Sequence, residues 1–153
     1  MDTELIDKND IFINQEFKSN TDYFQKTYQV LLKEGKVKKK FIDNILQREK
    51  DYPTGLNTGE IKVAIPHTDY TYSNTTQLVV TTFKSPVEFY QMDNSSSKIS
   101  VNLAVMILFN NPKKQPETLK YIMKIIQNQS SLSMIMKQQS KESMSKLFKT
   151  FGG

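Results

Sequence analysis

Seven consecutive apolar residues, Leu103 to Phe109, form the longest unbroken hydrophobic run in the chain. A helix that crosses a bilayer needs roughly 20, so the run reads as a strand, and no transmembrane segment is expected. No signal-peptide pattern opens the sequence. The remaining composition is globular: 37% hydrophobic and 24% charged residues over 153 positions, a length that fits one domain spanning residues 1–153. Cysteine is absent, which excludes disulfide scaffolds, thiol nucleophiles, Cys-type zinc sites and iron–sulfur clusters. A single histidine excludes a multi-histidine metal site, so neither a metal nor another cofactor is expected. The expectation is a cytoplasmic protein with no direct membrane insertion.

The patterning around that run predicts helices, then strands, then helices. Ile11-Phe12-Ile13 reads as a short strand. Ser19-Asn20-Thr21 offers N-caps for a helix carrying Tyr23, Phe24, Tyr28, Leu31 and Leu32 at helical spacing until Gly35. Phe41, Ile42, Ile45 and Leu46 form the stripe of a second helix, Lys38 to Lys50, ended by Asp51-Tyr52-Pro53. A loop rich in turn residues, Pro53 to Gly59, leads to strands at Ile61–Ile65, Gln77–Phe83, Val87–Tyr90 and Val101–Phe109, with a polar loop from Asp93 to Lys98. From Pro116 the spacing of Leu119, Ile122, Met123, Ile125 and Ile126 is helical. Ser130-Ser131 can cap a helix through Leu132, Ile135 and Met136, and a last helix spans Lys141 to Phe148 before a frayed Gly152-Gly153. This order predicts an α/β or α+β sandwich with a mixed sheet.

The formal charge is +5, from 20 Lys and one Arg against 16 acidic residues. Reading DNA sequence leans on bidentate arginine, and the lysines are scattered, so no nucleic-acid partner is expected; a Lys-rich nucleic-acid binder remains the rival that salt dependence would expose. Lys36, Lys38, Lys39 and Lys40 do cluster. They read either as a solvated helix start or as a partner-facing patch, and the positive balance favours encounter with an acidic protein.

Three features near the middle of the chain carry chemistry. His67 is the only imidazole; Pro66 before it ends the strand, which mounts the ring at a strand terminus. Thr68, Asp69, Tyr70 and Tyr72 around it can hydrogen-bond a ring nitrogen or its phosphorylated form. Arg48 is the only guanidinium, a planar fork able to hold two oxygens of a phosphate or carboxylate where lysine offers a point charge. The loop with Gly55 and Gly59, Thr54 and Thr58 can turn backbone N–H groups toward an anion. Each has a plainer reading: a satisfied histidine, a surface arginine paired to Glu49 or Asp51, and an ordinary turn. Together they describe a nucleophile with oxyanion donors, the parts needed for phosphoryl transfer without a metal.

Arg48-Glu49, Pro53-Thr54-Gly55-Leu56, Gly59 and Ala64-Ile65-Pro66-His67 resemble the phosphorylation-site signature of enzyme IIA of the bacterial phosphoenolpyruvate-dependent sugar phosphotransferase system, in its fructose/mannitol/nitrogen-regulatory superfamily. The resemblance runs over roughly residues 5 to 150. Ser85-Pro86-Val87-Glu88-Phe89, Gln91-Met92 and the strand from Val101 to Phe109 are most like the galactitol-type subgroup. The resemblance implies an α/β three-layer sandwich with a central mixed β-sheet flanked by helices. It implies that His67 accepts a phosphoryl group on Nε2 from the phosphohistidine of HPr and passes it to a cysteine of enzyme IIB, with Arg48 on the phosphoryl oxygens and Thr54 and Gly55 in the active-site loop. Several branches carry a second histidine near the start of the helix after the long strand. Here Gln115 is the positional counterpart, able to hydrogen-bond a phosphoryl oxygen without charge, and Asp69 is a further orienting candidate. The alternative is a regulatory interaction module whose partner binding is switched by phosphorylation of His67.

Overall fold

In the computed structural model, which describes residues 5–151, the chain runs β1 (Ile6–Gln15), α1 (Asn20–Lys33), α2 (Phe41–Asp51), β2 (Gly55–Leu56), β3 (Val63–Ala64), β4 (Gln77–Tyr90), β5 (Lys98–Leu108), α3 (Gln115–Ile126), α4 (Gln129–Met136) and α5 (Lys141–Phe151). Short 3-10 turns at Tyr70–Tyr72 and Pro112–Lys114 join the pieces. The five strands form one mixed sheet in the order β1-β4-β5-β3-β2. β1 is parallel to β4 and β3 to β5, while β4–β5 and β2–β3 are antiparallel.

The apolar run explains the layering. Residues of a strand alternate between faces. Leu103, Val105 and Ile107 pack with Ile122, Ile125, Ile126, Leu132, Ile135, Met144 and Phe148 of α3, α4 and α5. Ala104, Met106 and Leu108 face the other way, onto Tyr23, Phe24 and Leu31 of α1 and Phe41 and Ile45 of α2. A strand covered on both faces cannot alternate polar and apolar residues, which is why Leu103–Phe109 is continuously hydrophobic. The result is the α/β sandwich, helices on both sides of a mixed sheet.

Ser19 caps α1 as predicted, accepting from the backbone N–H of Asp22 at 3.1 Å, and Gly35 follows the helix end at φ +76°. Elsewhere the elements differ from the pattern. β1 is ten residues rather than three, because pairing with β4 begins at Ile6 and resumes at Ile11 after an irregular stretch that carries the polar residues Lys8 and Asn9 along this edge strand. A second irregularity, between Phe12 and Gln15, contains Asn14, which adopts φ +53° and donates its N–H to Thr82 Oγ1 at 2.9 Å. The two strands expected at Gln77–Phe83 and Val87–Tyr90 are one strand, β4. Pairing with β5 slips between Thr82 and Val87, and Pro86, which has no N–H to donate, lies in that slip. Asn128, not Ser130 or Ser131, caps α4, accepting from the Ser131 N–H at 3.2 Å. α5 continues to Phe151, whose ring meets Phe148 edge-on; Gly152-Gly153 lie outside the described residues.

The lysine cluster divides. Lys36 is half-buried and pairs with Asp7 at 2.7 Å and with the fully buried Asp10, which also accepts from Gln77 Nε2 at 2.7 Å. Burial and the Asp10 charge push Glu34, beside them, up to about 7. Lys38, Lys39 and Lys40 are exposed before α2, as a solvated helix start would be.

Candidate functional site

The expected strand Ile61–Ile65 is only two residues in regular pairing, Val63–Ala64, parallel to Leu103–Ala104 of β5. Pro66 lacks the N–H that would extend the ladder, but its carbonyl accepts from the Ile107 N–H at 2.9 Å, and His67 bridges to Ile107. His67 therefore lies at the end of β3 against the middle of the molecule. The edge of its ring system meets Phe109, with centroids 6.3 Å apart and planes at 85°.

The imidazole Nδ1–H donates to the carbonyl oxygen of Ile65 at 2.8 Å. A carbonyl only accepts, so Nδ1 carries the proton and, in the neutral ring, Nε2 keeps its lone pair. Burial holds the His67 pKa below the ordinary imidazole value, and the Arg48 charge acts in the same direction, against the Ile65 hydrogen bond. The ring is neutral at physiological pH: the nucleophilic form.

Arg48 sits in the last turn of α2, exposed, near enough for its charge to act on His67. It is not paired to Glu49 or Asp51; among the described residues it has no ion-pair partner, and its guanidinium lies over the exposed Tyr52 ring, 4.7 Å from the centroid. Its hydrogen-bonding fork is thus uncommitted.

The loop between these residues is built on Glu49. The spacing Phe41-Ile45-Glu49 puts this carboxylate on the buried face of α2, 8% exposed. It accepts from the Thr54 N–H and from the Thr54 hydroxyl, both at 2.7 Å. Burial raises its pKa to about 7, with the two Thr54 hydrogen bonds opposing the shift. Both Thr54 donors therefore point at Glu49. Its carbonyl accepts from the Ile65 N–H at 3.2 Å, tying the loop to the residue that holds the imidazole.

Gly55 is required by close approach. A Cβ there would fall 2.6 Å from the Tyr90 carbonyl oxygen, because β2 runs against Gln91 and the Gly55 carbonyl accepts from the Met92 N–H at 2.8 Å. At the far end of the loop, Gln129 of α4 donates to the Thr58 carbonyl at 2.6 Å and accepts from the Ile61 N–H at 3.0 Å.

Asp69 and Gln115 make no hydrogen bond to His67. Asp69 Oδ1 accepts from the N–H and hydroxyl of Thr71, both at 2.9 Å, capping the turn after the histidine. Gln115 is half-buried at the first position of α3. The segment leaving His67 is anchored by the basic stretch before α2: Lys38 N–H donates to Tyr72 O at 2.9 Å and Asn74 N–H to Lys36 O at 2.8 Å.

Glu49 and Gln129 are the parts that residue types alone did not reveal. The signal for Glu49 was an acid continuing the apolar stripe of Phe41 and Ile45; a lone glutamine carries none.

Comparison with known proteins agrees with this architecture. Over 90 residues the chain is 24% identical to the PTS system galactitol-specific EIIA component of Escherichia coli, a stretch that is 59% of this chain and 59% of that relative. The fold superposes on nitrogen regulatory protein IIA-Ntr from Neisseria meningitidis with a TM-score of 0.72 at 20% identity, covering 95% of this chain and 97% of that one. It superposes on a chain of the Escherichia coli complex of enzyme IIAMTL and phosphorylated enzyme IIBMTL with a TM-score of 0.75 at 18% identity, covering 95% and 97%. The family model for the phosphoenolpyruvate-dependent sugar phosphotransferase system, EIIA 2, matches residues 4–150, nearly the whole length, and the chain belongs to that family.

Proposed function

We propose that the protein is a phosphocarrier in which His67 takes a phosphoryl group from the phosphohistidine of HPr and gives it to a cysteine of enzyme IIB, for coupled uptake of a galactitol-like sugar or polyol. The single observation that carries this reading is the bond from His67 Nδ1–H to the Ile65 carbonyl. It leaves Nε2 unprotonated, so no base is needed to prepare the nucleophile. In the first step the Nε2–P bond forms while the donor's N–P bond breaks, and the departing electron pair stays on the donor nitrogen. In the second, a cysteine thiolate forms an S–P bond as the Nε2–P bond breaks, restoring the neutral ring. The phosphoryl group passes through an expanded, charge-rich transition state, and Arg48, without an ion-pair partner among the described residues and near enough for its charge to act on His67, is the candidate to hold its oxygens. Thr54 and Gly55 act by position, setting the loop rather than touching phosphate. Asp69 and Gln115, which make no hydrogen bond to the free ring, are candidates to meet the phosphoryl group once it is attached.

The galactitol-specific relative supports the substrate class, and the IIA–IIB complex among the structural neighbours supports the acceptor. The test is incubation with enzyme I, HPr and phosphoenolpyruvate, followed by a galactitol-type enzyme IIB. The expected result is one phosphoryl mass on the peptide containing His67, lost when enzyme IIB is added. A protein that takes up the group and keeps it in the presence of enzyme IIB is a phosphorylation-switched regulatory module instead.

A further inference from the structure

We propose that Glu49 is a positioning residue for the nucleophile: through Thr54 and Ile65 it fixes the tautomer and orientation of His67. Three consecutive links carry the inference. The carboxylate of Glu49 accepts both the N–H and the hydroxyl of Thr54. The carbonyl of Thr54 accepts the N–H of Ile65. The carbonyl of Ile65 accepts the Nδ1–H of His67. Polar contact is thus continuous from the buried face of α2 to the ring, each link a direct hydrogen bond.

The cost of the arrangement argues for its purpose. A carboxylate removed from water is expensive unless its oxygens are matched by donors. Glu49 has only the two Thr54 donors among the described residues, and its neighbours on α2's buried face are Phe41 and Ile45. An apolar residue would pack this face at less cost. What it would not do is clamp Thr54 across Tyr52-Pro53, where the chain leaves α2 and no helical hydrogen bond continues. β2 and β3 have two residues each, too few to hold the register of Thr54 against Ile65 by ladder pairing alone. The adjacent positions Arg48 and Glu49 then divide the work: one faces the site from outside, the other holds it from within.

The proposal rests on His67 being the phosphoryl acceptor, and its test separates the two. Imidazole nitrogen NMR on the intact protein needs no donor. The wild type is expected to show a protonated Nδ1 and a pyridine-like Nε2. Glu49→Gln presents one amide donor to a loop that supplies only donors at these positions, and is expected to mix the two tautomers. It should also lower kcat for phosphoryl acceptance by roughly tenfold or more with KM for the phosphorylated donor unchanged. Thr54→Val should do the same, and it carries the comparison if Glu49→Gln fails to fold; Thr54→Ser, which keeps both donors, should restore the wild-type signals. Wild-type nitrogen signals and rates in both Glu49→Gln and Thr54→Val would overturn the proposal. If the wild type takes up no phosphate, the phosphocarrier reading fails, while the nitrogen signals still decide whether Glu49 sets the ring.

Discussion

The side chain of His67 is hydrogen-bonded to the backbone of Ile65 across a single proline, at 2.8 Å. Pro66 makes this short loop rigid, since its φ is set by its own ring. The nucleophile is therefore aimed by the backbone that precedes it, and only Nε2 remains for chemistry.

Replacing His67 by Gln is expected to abolish phosphate incorporation. The ring is half-buried and its one hydrogen bond is to a backbone carbonyl that a glutamine amide can reach, so stability should change by no more than about 1 kcal/mol. Mass spectrometry under alkaline handling and thermal unfolding check the two halves. A protein that still incorporates phosphate would remove His67 from the reaction.

Arg48→Lys preserves charge but loses the fork. Because Arg48 has no ion pair among the described residues and is exposed, folding should be unaffected. Rapid-quench transfer from the phosphorylated donor should slow by about tenfold or more. A silent substitution would mean that the guanidinium does not meet the transferring group.

The pH dependence of stability has a definite sign. Glu49 in the folded protein binds its proton up to about 7, above the usual carboxylate range. Between those limits the folded state holds more proton than the unfolded one, so this contribution is full below the unfolded pKa and is lost as pH rises through about 7. His67 works oppositely: its lowered pKa makes the folded state bind less proton, so its contribution is full above the unfolded imidazole value and lost as pH falls below it. Urea titrations of Glu49→Gln against the wild type should therefore diverge in slope mainly between pH 5 and 7, by on the order of 1–3 kcal/mol. Parallel curves would show that Glu49 titrates as an ordinary surface acid.

Gly55→Ala should destabilise the fold by about 1–3 kcal/mol and slow phosphate uptake together. The added methyl meets a backbone oxygen, Tyr90 O, that cannot step aside without breaking the Gly55–Met92 hydrogen bond. Chemical denaturation and initial transfer rates measured on the same preparation check both effects; wild-type stability would mean that β2 relaxes away from Tyr90.

The layers were legible in the sequence. The period of Tyr23, Phe24 and Leu31 and the unbroken Leu103–Phe109 run reflect burial that a residue type states directly, and the rarity of His67 and Arg48 singled them out as candidates. What the sequence did not carry was pairing. Pro86 looked like a break between strands because the slip that accommodates it depends on β5. The reach of β1 depends on β4, and nothing in the neighbourhood of Thr54 in the sequence says that Glu49 takes both of its donors. These are long-range or side-chain facts, settled only when distant segments meet.

β2 and β3 are two residues each, and the segment around them is stapled by individual side chains: Glu49 on Thr54, Gln129 on Thr58 and Ile61, and Asn102 on the N–H of Lys62 at 2.9 Å. A mounting stiffened at separate points rather than by a long ladder can be loosened one codon at a time. Exchange speed could thus drift, or be engineered, at Glu49, Asn102 and Gln129, while the sandwich beneath them stays as it is.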